Sequence, residues 1–180
     1  MSVSKVEILR EMEYAVTHIR ERVLDEKARG HKVIGCLPIL IPEELVHASG
    51  AFPVGIWGAE RLPIVRVKHP QNHRLEGAVT YFIRELEGVR AQLETLTGRQ
   101  ITEEALCQSI EIYNENRKEM IAFARLLAEK PGLLTCRERH TVIKARYFMR
   151  KEEHTRLMRE LNGMLCASTA PSFEGIKVYV

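Results

Sequence analysis

The feature that most constrains the fold is the stretch from Lys32 to Glu60, KVIGCLPILIPEELVHASGAFPVGIWGAE. Its first part, Lys32 to Cys36, is apolar without polar alternation, which is typical of a strand buried on both faces. Pro42 suits the first turn of a helix, and Gly50 suits its end. Val54 to Trp57 is a second apolar run, and enough residues separate the two runs for a helical crossover between parallel strands. The stretch therefore predicts one βαβ unit.

The βαβ unit also predicts where a ligand would bind. In open α/β sheets, ligands bind outside the carboxyl ends of the strands, and the loop 37–41 leaves the first strand at that end. A third candidate strand, Pro63 to Lys68, alternates polar and apolar residues and leads into a loop at 69–72. The candidate binding residues are Pro38, Ile39, Leu40, His69, Gln71 and Asn72. The alternative is a solvated turn whose histidines are ordinary surface groups.

The rest of the chain has helical periodicity. The predicted helices run over Lys5–Arg29, from about Arg74 to Leu96, from Thr102 to the Pro131-Gly132 pair, from the capping-box pair Thr135 and Glu138 to about Met149, and from Lys151 to Cys166. The second helix keeps an unbroken four-three apolar spacing at Leu75, Val79, Phe82, Leu86, Val89, Leu93 and Leu96. We expect an antiparallel helical hairpin on the chain's own sheet, with an intermolecular seam as the alternative.

These elements predict an α/β fold. A small, mainly parallel Rossmann-like sheet, with the βαβ unit at 32–57, carries a large helical layer from 74 to 166. With 180 residues the chain is long enough for one sizeable core, so a single domain over 1–180 is expected. Its parts would be an N-terminal helix (1–30), an α/β core (31–70), a helical region (74–168) and a terminal strand (171–180).

Composition and charge exclude several function classes. The net charge is +3, and basic residues are interspersed with acidic ones, so a nucleic-acid-binding surface is not expected. The sequence contains neither an apolar run of about 20 residues nor an export signal, so we expect no membrane span and a cytoplasmic location. Phosphate loops, dinucleotide fingerprints and serine-nucleophile motifs do not occur either.

The cysteines and histidines give no metal-binding pattern. The four cysteines are about 30 residues or more apart and include no CxxC pair, which favours a reducing compartment and disfavours a disulfide framework. We expect Cys36, Cys107 and Cys166 to be buried structural thiols rather than metal ligands. His47 is expected to pack within the short helix. No histidine spacing typical of a metal site occurs, so no metal is expected in this chain.

Two blocks of the chain resemble the 2-hydroxyacyl-CoA dehydratase family, which includes the benzoyl-CoA reductase subunits. The first block, 32–60, carries GCLPILIPEELVHASGAFPVGIWG, which resembles the family's first βαβ unit. The second block runs from Pro63 to about Leu161. It carries HPQNHRLEGAVTYFIRELEGVRAQLETLTGRQITEEALCQSIEIYNENR and FMRKEEHTRLMREL, which resemble the segments after the family's third strand.

The chain departs from the family between these blocks. Only Arg61 and Leu62 stand where the family has a long segment whose cysteines ligate an iron–sulfur cluster, and Pro38 stands where the family has a first-loop cysteine. The family also continues into a second lobe beyond the end of this sequence. The short connection cannot link neighbouring parallel strands, which need about a dozen residues or more. We therefore expect an antiparallel hairpin, or a partly irregular second strand.

The resemblance implies a function for intact members. A low-potential [4Fe–4S] cluster receives one electron from an ATP-driven activator and passes it to an acyl-CoA thioester, in a lyase or an aromatic acyl-CoA reductase of anaerobic metabolism. Intact members work as two related subunits. This chain is then expected to be an incomplete subunit without its own cofactor, not catalytic alone. It would pair with a related subunit or with itself, and an acyl-CoA could bind.

Two other interpretations remain open. The chain could be a non-catalytic helical scaffold or partner-binding module, since the helical region keeps its apolar seams. It could also be a fragment or deletion product without a selected function.

Overall fold

A computed structural model of the chain describes residues 4–37, 41–56, 65–70, 72 and 74–170. Within these ranges the chain forms seven helices and two strands. In chain order they are α1 (Lys5–Thr17), α2 (Ile19–Ala28), β1 (Val33–Cys36), α3 (Glu43–Ala48), β2 (Phe52–Gly55), α4 (Ala78–Thr97), α5 (Glu103–Glu129), α6 (Cys136–Ala145) and α7 (Lys151–Ala167). The predicted βαβ unit followed by a helical region is confirmed. Of the helices in the described ranges, none has the length and apolarity that a membrane crossing requires.

The chain divides into two compact units. Unit 1 consists of Met1–Arg22 together with Ile112–Val180, and unit 2 consists of Val23–Glu111. Each unit has its own cluster of buried apolar side chains. Helices α2 and α5 contribute residues to both units. The single domain over 1–180 stays a prediction.

Unit 2 is built on the pairing of two parallel strands. Val33 lies opposite Phe52 and Cys36 lies opposite Gly55 in the register. The Phe52 N–H donates to the Lys32 carbonyl at 2.7 Å, and the Ile56 N–H donates to the Cys36 carbonyl at 2.9 Å. Helix α3 forms the crossover between the two strands. The second strand begins two residues before the predicted Val54, and Trp57 lies outside the described residues.

Two strand predictions were wrong. Only Cys36 of β1 is buried, whereas Gly35 is exposed, so β1 is not covered on both faces. The reason is that Ile34 and Cys36 face the apolar cluster of unit 2, whereas Val33 and Gly35, on the other face of the strand, are not part of it. The third candidate strand is also wrong for Val65 to Lys68, which have no regular structure, so the expected hairpin with β2 does not form there. Pro63 and Ile64 lie outside the described residues.

Helix α4 packs on the apolar core of unit 2 through its second half. Val89 and Leu93 are buried, whereas Leu75, before the helix, and Val79, in its first turn, are exposed. The apolar seam predicted for this helix is therefore wrong at its N-terminal end. Gly98 ends the helix as predicted, in the left-handed conformation with φ of +69°.

Helix α5 begins after Thr102, as predicted. The Thr102 Oγ1 accepts a hydrogen bond from the Ala105 N–H at 3.1 Å, which caps the helix. This cap satisfies one of the backbone donors that every helix leaves unpaired in its first turn.

Unit 1 packs α1, α6, α7 and the later part of α5 around its own core. The predicted capping box at Thr135 and Glu138 is confirmed, and Ser4 and Glu7 form a second one. Helix α6 ends at Ala145, four residues before the predicted end.

The single N-terminal helix predicted over Lys5–Arg29 is interrupted at His18. The Thr17 hydroxyl donates to the Glu13 carbonyl at 2.8 Å, and the His18 ring stacks on Tyr14 with the ring centroids 4.2 Å apart. Local side-chain bonds of this kind compete with the helix backbone. They accompany the change of conformation at His18, where φ is −115° and ψ is 43°.

Two glycines of unit 2 should respond to alanine in opposite directions. Gly50 has φ of +76°, and an added Cβ would lie 2.5 Å from Arg99 Nη1, so Gly50→Ala should destabilise the chain by about 1–2 kcal/mol. Gly88 lies inside α4 with no atom within 4 Å of an added Cβ, so Gly88→Ala should stabilise it by about 0.5–1 kcal/mol. Urea unfolding midpoints measure both effects. A Gly50→Ala variant as stable as the wild type would contradict the conformation assigned to Gly50.

Candidate functional site

A cavity of about 450 Å³ lies in unit 2 beside β1. Its volume falls in the range of about 300–1,000 Å³ that is usual for small-molecule sites. The walls come from β1 and its flanking residues, the start of α3, the segment after β2 and the second half of α4. The lining residues are Lys32, Val33, Ile34, Gly35, Cys36, Leu37, Ile41, Pro42, Val46, Ile56, Val65, Val67, Val89, Leu93 and Leu96.

The apolar periodicity of α4 provides one wall of this cavity. Val89, Leu93 and Leu96 recur at steps of four and three, which places them on one face of α4. Val89 and Leu93 are buried, whereas Leu96 is half exposed at the rim, as Leu37 is. The cavity therefore has an apolar floor and an opening to solvent.

The cavity carries little charge. Of the lining residues that the structure describes, Lys32 is the only one with a charged side chain. The Cys36 thiol is 3% exposed and donates to the Ile34 carbonyl at 3.7 Å. These described walls therefore fit the binding of an apolar group.

The first predicted site segment adjoins this cavity. Pro38, Ile39 and Leu40 lie outside the described residues, but Leu37 before them and Ile41 after them both line the cavity. The described residues on either side of the candidate loop therefore belong to the cavity wall.

The second predicted segment is placed in part. Gln71 lies outside the described residues. The His69 ring lies against Phe82 of α4, with the centroids 4.7 Å apart and the planes tilted by 38°. The Asn72 Oδ1 accepts a hydrogen bond from the Arg74 N–H at 3.0 Å. Neither side chain is among the described residues that line the cavity, so their role in binding stays a prediction.

Three cysteines differ from Cys36 in their exposure. Cys107, Cys136 and Cys166 are exposed, so the prediction that Cys107 and Cys166 are buried was wrong. Each of those two follows a leucine of an apolar stripe, and one step along a helix turns a side chain by about 100°, away from the buried face.

The described residues do not fit an iron–sulfur cluster. All four cysteines lie in the described ranges, and they are divided between unit 1 and unit 2. In those ranges no group of three or more His, Cys, Asp or Glu side chains could hold a metal ion. A cubane cluster needs several convergent thiolates, and this arrangement does not supply them.

His47 connects α3 to α5. Its Nδ1 lies 3.0 Å from the Ser109 Oγ, and the Ser109 hydroxyl donates to the Glu44 carbonyl at 2.8 Å. Because that hydroxyl has one proton, His47 Nδ1–H is the donor of the first bond. His47 thus lies in α3, as predicted, and its side chain bonds to Ser109 of α5.

Sequence reasoning missed a buried polar cluster in unit 1. The Asn116 Nδ2 donates to His154 Nδ1 and to Thr155 Oγ1, both at 2.9 Å. His154 is fully buried, and its Nε2 lies 3.2 Å from the Val142 carbonyl. Since Nδ1 accepts a bond, the neutral ring carries its proton on Nε2 and donates it to Val142. The signal was present: His154 takes a place in the stripe that continues through Met158, Leu161 and Leu165.

Comparisons with known proteins identify the family. The family model described as 2-hydroxyglutaryl-CoA dehydratase, D-component, matches residues 59–180, which is more than half of the chain. The chain belongs to this family. The lactoyl-CoA dehydratase subunit beta of Anaerotignum propionicum is 32% identical over 99% of this chain and 63% of its own length. A benzoyl-CoA reductase subunit of Thauera aromatica is 26% identical over 72% of this chain and 49% of its own length.

The chain spans only part of the length of the curated relatives it matches. The (R)-2-hydroxyglutaryl-CoA dehydratase subunit beta of Acidaminococcus fermentans is 29% identical over 86% of this chain, which spans 56% of that relative. The alignment with the lactoyl-CoA dehydratase subunit extends over 235 positions, although this chain has 180 residues and 99% of them are aligned. Part of that relative therefore has no counterpart within the aligned stretch, which confirms the predicted shortening.

His154 should make unit 1 sensitive to mild acid. Burial lowers the pKa of His154 to about 4, with smaller contributions from the charges of Lys151 and Arg146. Between pH 6.5 and 4 the histidine is protonated in the unfolded chain but stays neutral in the folded chain. The free energy of unfolding is therefore unaffected by His154 above about pH 6.5, and it falls by about 3 kcal/mol as the pH approaches 4.

Urea unfolding at several pH values measures this loss. His154→Gln should remove most of the dependence between pH 6.5 and 4, whereas His140→Gln, at an exposed position on α6, should retain it. An unchanged pH dependence in His154→Gln would show that another group is responsible.

Proposed function

We propose that the chain is a subunit of an assembly of the 2-hydroxyacyl-CoA dehydratase or benzoyl-CoA reductase type, and that it does not carry the redox centre itself. Two observations support the proposal. A cavity of ligand size lies beside β1 in unit 2, and among the described residues no group of three or more His, Cys, Asp or Glu side chains could hold a metal ion. The proposal thus gives this chain the ligand-binding fold and gives another chain the residues that hold the redox centre.

The proposed role divides the chemistry between two chains. In an intact assembly a [4Fe–4S] cluster would supply the electron, and the described cysteines here do not fit one. A related subunit would then hold the cluster, with self-association as the alternative. The relatives' names support an assembly, since each is described as one subunit of its enzyme. None of the four cysteines forms a disulfide, which is in keeping with the cytoplasmic location that we include in the proposal.

The ligand of the cavity would be the acyl part of an acyl-CoA. The walls are apolar and nearly uncharged, so they suit a short aliphatic or aromatic acyl group better than its polar carrier. Residues of the two loops would meet the thioester end: Pro38, Ile39, Leu40, His69, Gln71 and Asn72. The position of Leu37 and Ile41 in the cavity wall supports this assignment for the first loop.

Iron and sulfide analysis tests the proposed lack of a redox centre. After anaerobic reconstitution with iron and sulfide, the isolated chain should hold far less than four irons per chain, because its thiolates do not converge. Reconstitution of the variants Cys107→Ser and Cys136→Ser should give the same low content as the wild type. A stoichiometric cubane cluster in the wild type, lost in either variant, would overturn the proposal.

Calorimetric binding of butyryl-CoA tests the cavity. Leu96 is half exposed at the cavity rim, so a tryptophan there should narrow the opening and weaken binding by about tenfold, which corresponds to about 1.4 kcal/mol. Val79→Trp is the matched control, since Val79 is exposed on the same helix and is not a lining residue. Equal affinities of the two variants and the wild type would exclude the cavity as the acyl site.

A scaffold or partner-binding function is the second candidate. It is favoured by the exposed apolar side chains at Leu75, Val79 and Ile83, which recur every four residues at and after the start of α4. Such a stripe is typical of a helix that packs against another protein. The mass in solution discriminates between the candidates: a stable homodimer without acyl-CoA binding would favour the scaffold.

A further inference from the structure

Helix α5, over Glu103–Glu129, packs on its own chain along one face. The positions of this inner face follow one another at alternating steps of four and three, which places them on one side of a helix. They are buried or half buried: Ser109, Tyr113, Asn116, Met120, Phe123 and Leu127. The rest of the circumference is left for solvent or for a partner.

A second series of positions on α5 keeps the same three-four spacing but is exposed. Within it, Ile110 is 41% exposed and Ile121 is 52% exposed. Apolar side chains at this spacing are typical of a helix that packs along another helix. We call this series the outer seam, and it consists of Cys107, Ile110, Asn114, Arg117, Ile121 and Ala124.

The charges beside the outer seam change sign half-way along it. Glu104, Glu111, Lys118 and Arg125 recur every seven residues, so they form one row, and all four are exposed. The helix dipole accounts for an acid only in the first turn, which Glu111 is well past. Residues seven apart are also too distant to pair within one helix, since such pairs form at three or four. The order of signs therefore indicates a partner outside the helix.

We propose that the outer seam of α5 binds the outer seam of a second copy of this chain, with the two helices antiparallel. Ile110 then lies against Ile121 of the second copy. In the same register Glu111 meets Lys118 of the second copy, and Glu104 meets Arg125. The two-fold symmetry repeats each of these contacts, so every charge in the row meets its opposite.

The middle of the seam favours the antiparallel direction. Asn114 would lie opposite Arg117 of the second copy, and within one chain the Arg117 Nη1 already donates to the Asn114 Oδ1 at 2.8 Å. A polar pair at the centre of a helical seam fixes its register, at a cost in stability. In a parallel pair each Arg117 would instead face its own counterpart, and like charges destabilise such a contact.

The charge row is accessible to a second copy. The Lys118 Nζ contacts Glu115 Oε1 of its own chain at 2.5 Å, but both side chains are exposed, so this pair is weak and does not prevent a contact with a partner. One pair of helices is a small interface, so we expect a reversible dimer rather than a permanent one. The inference goes beyond the proposed function, because the dimer requires neither an acyl-CoA nor a redox centre.

Sedimentation equilibrium of the full chain over the micromolar range tests the proposal by charge reversal. Glu111→Lys and Lys118→Glu should each weaken the dimer about tenfold, because two attractive contacts become repulsive. The double variant with both changes should dimerise like the wild type, since the opposite charges meet again. Glu87→Lys, an equal change at an exposed position of α4, is the matched control and should have no effect.

Disulfide cross-linking tests the direction of the helices. The register places Cys107 beside Ala124 of the second copy, so Ala124→Cys should give a covalent dimer when diamide oxidises the two thiols. Cys136 and Cys166 are exposed and are changed to serine in this background. Adding Cys107→Ser should abolish the link. Ala122→Cys, at an exposed position outside the seam, should not form it.

Four results would overturn the proposal. The first is a monomer throughout the concentration range. The second is a dimer that both single charge reversals leave unchanged, or that the double variant does not restore. The third is a link from Ala124→Cys that survives Cys107→Ser, which would show parallel helices. The fourth is a dimer weakened by Val79→Ala but not by Ile121→Ala, which would place the interface on α4.

Folding and ligand binding are measured separately from the dimer. The substituted side chains are exposed, so urea unfolding should show folded variants. If a charge reversal does not fold, the cross-linking result decides. Failure of butyryl-CoA to bind would count against the proposed function and leave the dimer standing, whereas a monomer that binds butyryl-CoA would do the reverse.

Discussion

The parallel pairing of β1 with β2 is the interaction on which unit 2 depends. It fixes the crossover through α3, because Gly50 and Ala51 must bring the chain back to the start of β2. It also determines which backbone groups of β1 bond to β2. The second half of α4 then covers the cavity with Val89 and Leu93. Without the ladder, β1 would not be held in place as a wall of the cavity.

Much of the fold could be predicted wherever a few neighbouring residues determine the structure. The left-handed glycine after α4 and the capping box at Thr135 depend on local geometry, and both were predicted correctly. The strand at Val65 to Lys68 was predicted from alternation alone and is absent. A strand forms only when a neighbouring strand is in position to bond to it, and the sequence of these four residues does not show whether such a neighbour exists. The break at His18 depended on side-chain bonds that periodicity does not describe.

The part of the candidate site that follows from strand order could be predicted from the sequence. The loop after β1 was expected to adjoin a ligand site, and its two flanking residues line the cavity. The extent of burial was less predictable. The apolar spacing of α4 continues without a break, but only its second half meets a buried cluster. His154 was missed for the opposite reason, since a histidine in an apolar stripe becomes a core residue when Asn116 and Val142 satisfy both ring nitrogens.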